Sequence, residues 1–155
     1  MGSTRVVQVN VVVADVDAAA RFLAGLGLEM PAAPPGWESH HRPVPAAACE
    51  HDEQDRGEPP VAIELDSAPF AHRWGGLASS FTGVVLNVRV DERDEVDRMH
   101  EVALSLGARS LAEPYDAFWG SRFAVVEGPG PLVVGLLTVP DEGQRGAPPD
   151  PGSLA

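Results

Sequence analysis

Valines alternate with other residues over positions 5–13, with Val7, Val9, Val11 and Val13 on one side and Val6, Gln8, Asn10 and Val12 on the other. A period of two predicts a strand with one wholly aliphatic face and one mixed face. The period then lengthens. Val16, Ala19, Ala20, Leu23 and Leu26 recur at helical spacing and predict a helix over 16–26, capped by Asp15 and ended by Gly25 and Gly27. The same succession returns further along. Leu86, Val88 and Val90 oppose Val85, Asn87 and Arg89 in a strand over 82–90, and Val96, Met99, Ala103 and Leu106 predict a helix over 92–106. Each helix runs into a Leu-Gly pair, Leu26-Gly27 and Leu106-Gly107.

Between and after these units the signals are shorter. Residues 37–42 and 61–66 read as strands, and 67–80 as a connector with a short helix around 70–74. Residues 118–127 and 131–139 form a hairpin around Gly128-Pro129-Gly130. Pro31, Pro34, Pro35, Pro43 and Pro45 interrupt the stretch 29–60, and 50–58 is an acidic loop. From Asp141 the chain is rich in Pro and Gly and is expected to be disordered. The parse is a single α+β domain over 1–139, with strand–helix–strands modules at about 5–66 and 82–139, a connector at 67–81, and a disordered tail at 140–155. The aliphatic strand faces belong under the helices. The opposite faces carry Asn10 and Asn87 at matched positions, which points to a polar-lined cavity on the concave side of the sheet.

Charge narrows the partners. The 155 residues carry 23 acidic and 11 basic side chains, a net charge of −12. That balance repels nucleic acid and anionic lipid and favours a cationic ligand, if it favours any. No apolar run is long enough for a membrane span, and residues 1–5 lack the charged and apolar regions of a signal peptide, so a cytoplasmic location is expected. The single Cys49 excludes an intrachain disulfide and a cysteine-rich metal site, and is read as structural.

Recognisable catalytic motifs are absent: there is no Gly-x-Ser-x-Gly, no Walker loop, and no dinucleotide-binding glycine run. His40 and His41 are adjacent, so on a strand they point apart and cannot hold one ion together. His51, His72 and His100 lie in a loop, the connector and a helix, and read as surface or core residues. Glu64 paired with His41 across neighbouring strands would suit general acid/base work. The aromatic residues are more suggestive. Trp37, Phe70, Trp74, Phe81, Tyr115, Phe118, Trp119 and Phe123 concentrate in connectors and second-module strands, and aromatic walls with a few polar groups hold planar amphipathic ligands. The candidate ligand-binding set is Asn10, Trp37, His41, Phe70, Trp74, Asn87, Arg89, Tyr115, Phe118 and Trp119, with Phe123 assigned to the core.

The run 9–28, and more specifically Glu113-Pro114-Tyr115-Asp116-Ala117-Phe118-Trp119-Gly120 continuing through 122–127 to Gly135-Leu136, resembles the vicinal oxygen chelate superfamily of glyoxalases, bleomycin-resistance proteins and dioxygenases. The resemblance covers about residues 5–139. It implies two βαβββ modules forming a cupped mixed sheet, completed in a homodimer. Enzymes of the superfamily usually hold a divalent metal inside the cup. The corresponding positions here are Gln8, Glu64, Val85 and Gly135, of which only Glu64 retains a ligand type, so no metal and no other cofactor is expected. Two functional classes follow from the resemblance. One is a non-catalytic protein that sequesters a bulky aromatic natural product or antibiotic, conferring self-resistance. The other is a metal-independent lyase, isomerase or cyclase using Glu64, His41 or Tyr115.

Overall fold

The computed structural model describes residues 4–45 and 60–154. Seven strands form one mixed, curved sheet: β1 (Arg5–Val13), β2 (His41–Val44), β3 (Ala62–Ser67), β4 (Gly83–Arg89), β5 (Arg109–Asp116), β6 (Arg122–Glu127) and β7 (Val133–Leu137). The order across the sheet is β2-β3-β1-β4-β7-β6-β5. Among the described residues three α-helices accompany the sheet, α1 (Val16–Gly25), α2 (Ala68–Gly75) and α3 (Arg93–Ser105). The two modules meet at β1 and β4, which run antiparallel, while within each module the first and last strands pair in parallel. Gln8 stands across from Asn87 and Asn10 from Val85, so an approximate twofold axis passes between the two central strands. Among the described residues the first module shows three strands where the second shows four.

The alternation read from the sequence sets the two faces. On the convex side, Val16 and Ala20 of α1 pack on Leu65 with Val11 and Val13, and Val96 of α3 packs on Val90, Ala124 and Leu136 with Val88. On the concave side Val12, Val85 and Phe123 form the largest cluster with Ala71 and Trp74 of α2. Val7 departs from its expected face and packs toward this concave cluster. The cause is a bulge: β1 advances from Val6 to Gln8 while β4 advances one residue, which resets the alternation.

Local chemistry fixes the helix ends. The Asp15 side chain accepts from the Ala18 amide at 2.8 Å, as expected for a cap. Ser67 caps α2 through the Phe70 amide, and Gly76 ends that helix in the left-handed region at φ 63°. A Cβ on Gly76 would lie 1.9 Å from the Leu111 carbonyl oxygen, so only glycine lets α2 seat against β5. Arg122 grips Asp97 at 2.6 and 3.0 Å and also reaches Asp116, tying α3 to the strands beneath it.

Two expectations need correction. The strand anticipated at 37–42 begins only at His41, because Trp37–His41 close a turn in which His40 and His41 both donate to the Trp37 carbonyl. The segment after 139, expected to be disordered, lies along the cup instead. The Gly146 amide bonds the Phe118 carbonyl, Pro151 packs against Gly36, and Leu154 is buried in the concave cluster. A Pro- and Gly-rich composition limits what such a segment can bury by itself, but here the sheet and α2 supply the apolar surface. The acidic loop at 50–58, with Cys49 and His51, lies outside the described residues.

Candidate functional site

The concave face encloses a cavity of about 450 Å³ with two chemically different sides. Trp37, Phe70, Phe118, Trp119 and Phe123 make the apolar side. Their rings meet edge to face, Trp37 on Phe70 at 5.0 Å and Trp119 on both Phe118 at 5.1 Å and Phe123 at 5.2 Å. Such contacts hold the rings in fixed orientations and leave faces for a flat ligand.

The other side is a continuous hydrogen-bonded chain across four strands. Gln8 and Asn87 both donate to the Asn10 carbonyl oxygen, at 3.1 and 2.5 Å. Asn10 donates to Asp66 Oδ2 at 2.5 Å, and the other oxygen of Asp66 lies 2.6 Å from His41 Nδ1. His41 Nε2 then stands 3.3 Å from Glu64 Oε2. The strands dictate this meeting. Glu64 and Asp66 are two residues apart on β3 and so share its concave face, and His41 pairs directly with Asp66 across the β2–β3 ladder. Asp66 is almost wholly enclosed, with 1% of its side chain exposed, whereas His41 and Glu64 keep 29% and 24% and face the cavity.

This enclosure shifts proton affinities. Burial alone would push the His41 imidazolium down, but the hydrogen bond to Asp66 and the charges of Asp66 and Glu64 outweigh it, so His41 rises above its ordinary value. Burial pushes the Glu64 carboxyl up and the Asp66 charge adds to the rise, against the pull of His41. Both groups hold protons more tightly than in water, and their acceptor and donor atoms face each other.

Of the residues singled out in the sequence, Asn10, Trp37, His41, Phe70, Trp74, Asn87, Phe118 and Trp119 line the cavity, as do Glu64 and Gln8. Two do not. Arg89 is the last residue of β4, its backbone paired with Arg5 and Leu137, and it does not line the cavity. Tyr115 lines a smaller neighbouring space of about 210 Å³, where its hydroxyl donates to the Trp74 carbonyl and burial raises its pKa. That bond and that shift leave the phenol a poor proton acceptor at neutral pH. Phe123, assigned to the core, is buried and also forms part of the cavity wall. Sequence reasoning missed Asp66. The signal was present in Glu64-Leu65-Asp66, two carboxylates on one face of a strand otherwise rich in aliphatic residues. Among the described residues the other histidines are tied to the fold: His40 bonds Ser67, His72 the Leu77 carbonyl, and His100 Ser110.

The metal positions implied by the resemblance do not fit an ion. Val85 is fully buried and offers no donor atom. At Gly135 a Cβ would run into Asn87 Oδ1, so a side chain there would have to displace the Asn87 amide. His41, Glu64 and Asp66 bring ligand atoms within 4.8 Å of one another. Both oxygens of Asp66 and Nδ1 of His41 are already engaged, which leaves one nitrogen and one carboxylate, too few donors for a tight site.

Residues 5–134 match the Glyoxalase/Bleomycin resistance protein/Dioxygenase superfamily, and the chain belongs to it. No curated protein matches the chain. Among solved structures, it is similar to a superfamily member from Vibrio splendidus 12B01 at 14% identity, with 88% of this chain and 100% of the other covered and a TM-score of 0.53. A methylmalonyl-CoA epimerase from Mycobacterium tuberculosis aligns at 19% identity over 89% of each chain, with a TM-score of 0.51. The Mn(II)-bound glyoxalase from Novosphingobium aromaticivorans aligns at 18% identity and a TM-score of 0.54, over 88% of this chain and 40% of that one. At these identities the likeness establishes the shared fold alone.

Proposed function

We propose that the chain is a metal-independent binding protein for a flat, aromatic small molecule, held in the cup between the tryptophan walls and the Asn–Asp–His–Glu floor. The observation that carries this reading is the convergence of both surfaces on one cavity of about 450 Å³, a volume within the usual range for small-molecule sites. Stacking on Trp37 and Trp119 would supply affinity, and hydrogen bonds from Asn87 and to Glu64 would orient the ligand. An aromatic natural product or antibiotic satisfies these requirements, and sequestering one would confer self-resistance. The acidic floor and the net charge of −12 favour a ligand with a cationic or hydrogen-bond-donating edge. Among the described residues no helix is long and apolar enough to cross a membrane.

Native mass spectrometry against a panel of aromatic antibiotics tests the reading, with calorimetry on any ligand retained. Trp119→Ala should weaken binding by about 2 kcal/mol, roughly thirtyfold. Val88→Ala, on the convex side, should lower stability by ~1 kcal/mol or more and leave affinity nearly unchanged. Loss of affinity in both variants alike, or retention of no aromatic compound, would count against the cavity as a binding site.

A further inference from the structure

The geometry points to His41 and Glu64 as a metal-independent proton-transfer couple, oriented by Asp66, that acts on a carbon acid carried by an aromatic ligand. This rests on the cavity being the ligand site, and adds chemistry to it. A site that only binds needs hydrogen-bond donors and acceptors at its polar end. This one has more: two titratable groups with their heavy atoms 3.3 Å apart, both open to the cavity, and a second carboxylate, Asp66, almost wholly enclosed beside them.

Asp66 lies in the cavity wall with only 1% of its side chain exposed and both oxygens engaged by Asn10 and His41; it is a positioning residue. Its Oδ1 fixes His41 Nδ1 at 2.6 Å, which turns Nε2 toward Glu64 and the cavity. Asn10 holds Asp66 Oδ2 from the other side, so the carboxylate cannot rotate away. The groups facing His41 are Glu64 and Asp66 of β3 and the edge of Phe70 from α2, at a centroid distance of 5.8 Å. His41 Nε2 and Glu64 Oε2 face each other at 3.3 Å, so a proton on one lies beside an acceptor on the other. Whichever atom holds it, the couple presents one acid and one base to the same point in the cavity.

That is the requirement for moving a proton within a ligand. A C–H beside a carbonyl gives its proton to the basic member, and the electron pair stays on the ligand, delocalised into the carbonyl. The acidic member returns a proton at another ligand atom. The product is an isomer, the couple is restored, and no oxidant, reductant or metal takes part. The substrate class is therefore an enolisable aryl carbonyl compound or an equivalent aromatic carbon acid.

The probe for this is 5-nitrobenzisoxazole, a flat aromatic carbon acid. Removal of its ring C–H proton converts the C–H electron pair into a nitrile bond and breaks the N–O bond, releasing a yellow nitrophenolate. The full chain should turn it over with saturation. His41→Asn and Glu64→Gln should each lower kcat by on the order of a hundredfold. In both variants the probe should still quench tryptophan fluorescence with an affinity within about threefold of the parent. Asp66→Asn should lower kcat while leaving KM nearly unchanged. Nitrogen-15 spectra of the free protein supply the second measurement: His41 should titrate above its ordinary value of 6.5, and Asp66→Asn should bring it down. Probe bound but turned over equally by parent and His41→Asn overturns the couple and leaves the binding site standing. Probe neither bound nor turned over overturns the binding site and the couple with it. A His41 titration indifferent to Asp66→Asn overturns the couple whatever the probe does.

Discussion

Gly135 stands across from Asn87 in the β4–β7 ladder, and the Asn87 amide occupies the space a side chain at 135 would need. From that space Asn87 clamps Asn10 through the hydrogen bond between their side chains. Gly135→Ala should cost about 1–3 kcal/mol in chemical denaturation, because the added methyl meets the Asn87 oxygen and the Phe123 ring. It should also weaken ligand binding by displacing Asn87. Proton affinity is the other property that single residues set. His41 and Glu64 are both raised above their ordinary values of 6.5 and 4.5. Each therefore contributes stability that is complete below its ordinary value and is lost as pH rises through the raised one. Asp97 and Asp116 have the opposite sign: Arg122 and Arg93 hold them below 3.8, so their contribution disappears only as pH falls under that value. The melting temperature should therefore decline between pH 5 and pH 8. In Glu64→Gln the decline should begin only near pH 6.5, so parent and variant should diverge most at alkaline pH. Parallel melting curves across that range would refute the shifts.

At the level of elements, β1, α1, β4 and α3 were legible because amphipathic periodicity and caps agree within each of them. The strand at β5 was not, since Arg109-Ser110-Leu111-Ala112-Glu113-Pro114-Tyr115-Asp116 shows no clean alternation. It is an edge strand with register shifts, and neither of its faces is uniformly buried. The two central asparagines and the aromatic wall could be anticipated from matched positions and clustering. The pairing of His41 with Glu64 across neighbouring strands could be anticipated too, whereas the place of Asp66 beside His41 depended on the β2–β3 register, which no local pattern encodes. The segment after 139 was misread for a similar reason, because composition describes what a segment can do alone and not what surface awaits it. Its anchor is Leu154, buried in the concave cluster beside α2, while Pro148 completes the cavity wall. Leu154→Ala should cost about 2–4 kcal/mol, far more than an exposed leucine would. It should also speed ligand release by loosening that wall. Stopped-flow dissociation and thermal melts would check both effects, and a variant as stable as the parent would mean that the segment does not hold the cup.

Across the whole molecule, two related modules have taken different work. The first provides Glu64, Asp66 and His41, and the second provides Asn87 and the rings of Phe118, Trp119 and Phe123, so the cavity exists only where the two meet. The same pseudo-symmetry leaves matched apolar residues outside. Phe22 and Leu26 sit four residues apart at the end of α1, with exposures of 67% and 65%, and Val102 and Leu106 repeat that spacing at the end of α3, where Leu106 is 80% exposed. The sheet edges are poorer docking sites. β2 carries Pro43 and β5 carries Pro114, each removing a donor that edge-to-edge pairing would use. A homodimer joined through the helix ends would cover the apolar residues and leave the edges free. Light scattering at micromolar concentration should then give about twice the chain mass of 16.3 kDa. The double variant Phe22→Glu, Leu106→Glu should scatter as a monomer, melt within a few degrees of the parent, and keep its ligand affinity, because the cavity lies on the opposite face of the sheet. A dimer that survives both substitutions would move the contact to the sheet, and a parent protein that stays monomeric at high concentration would remove the dimer altogether.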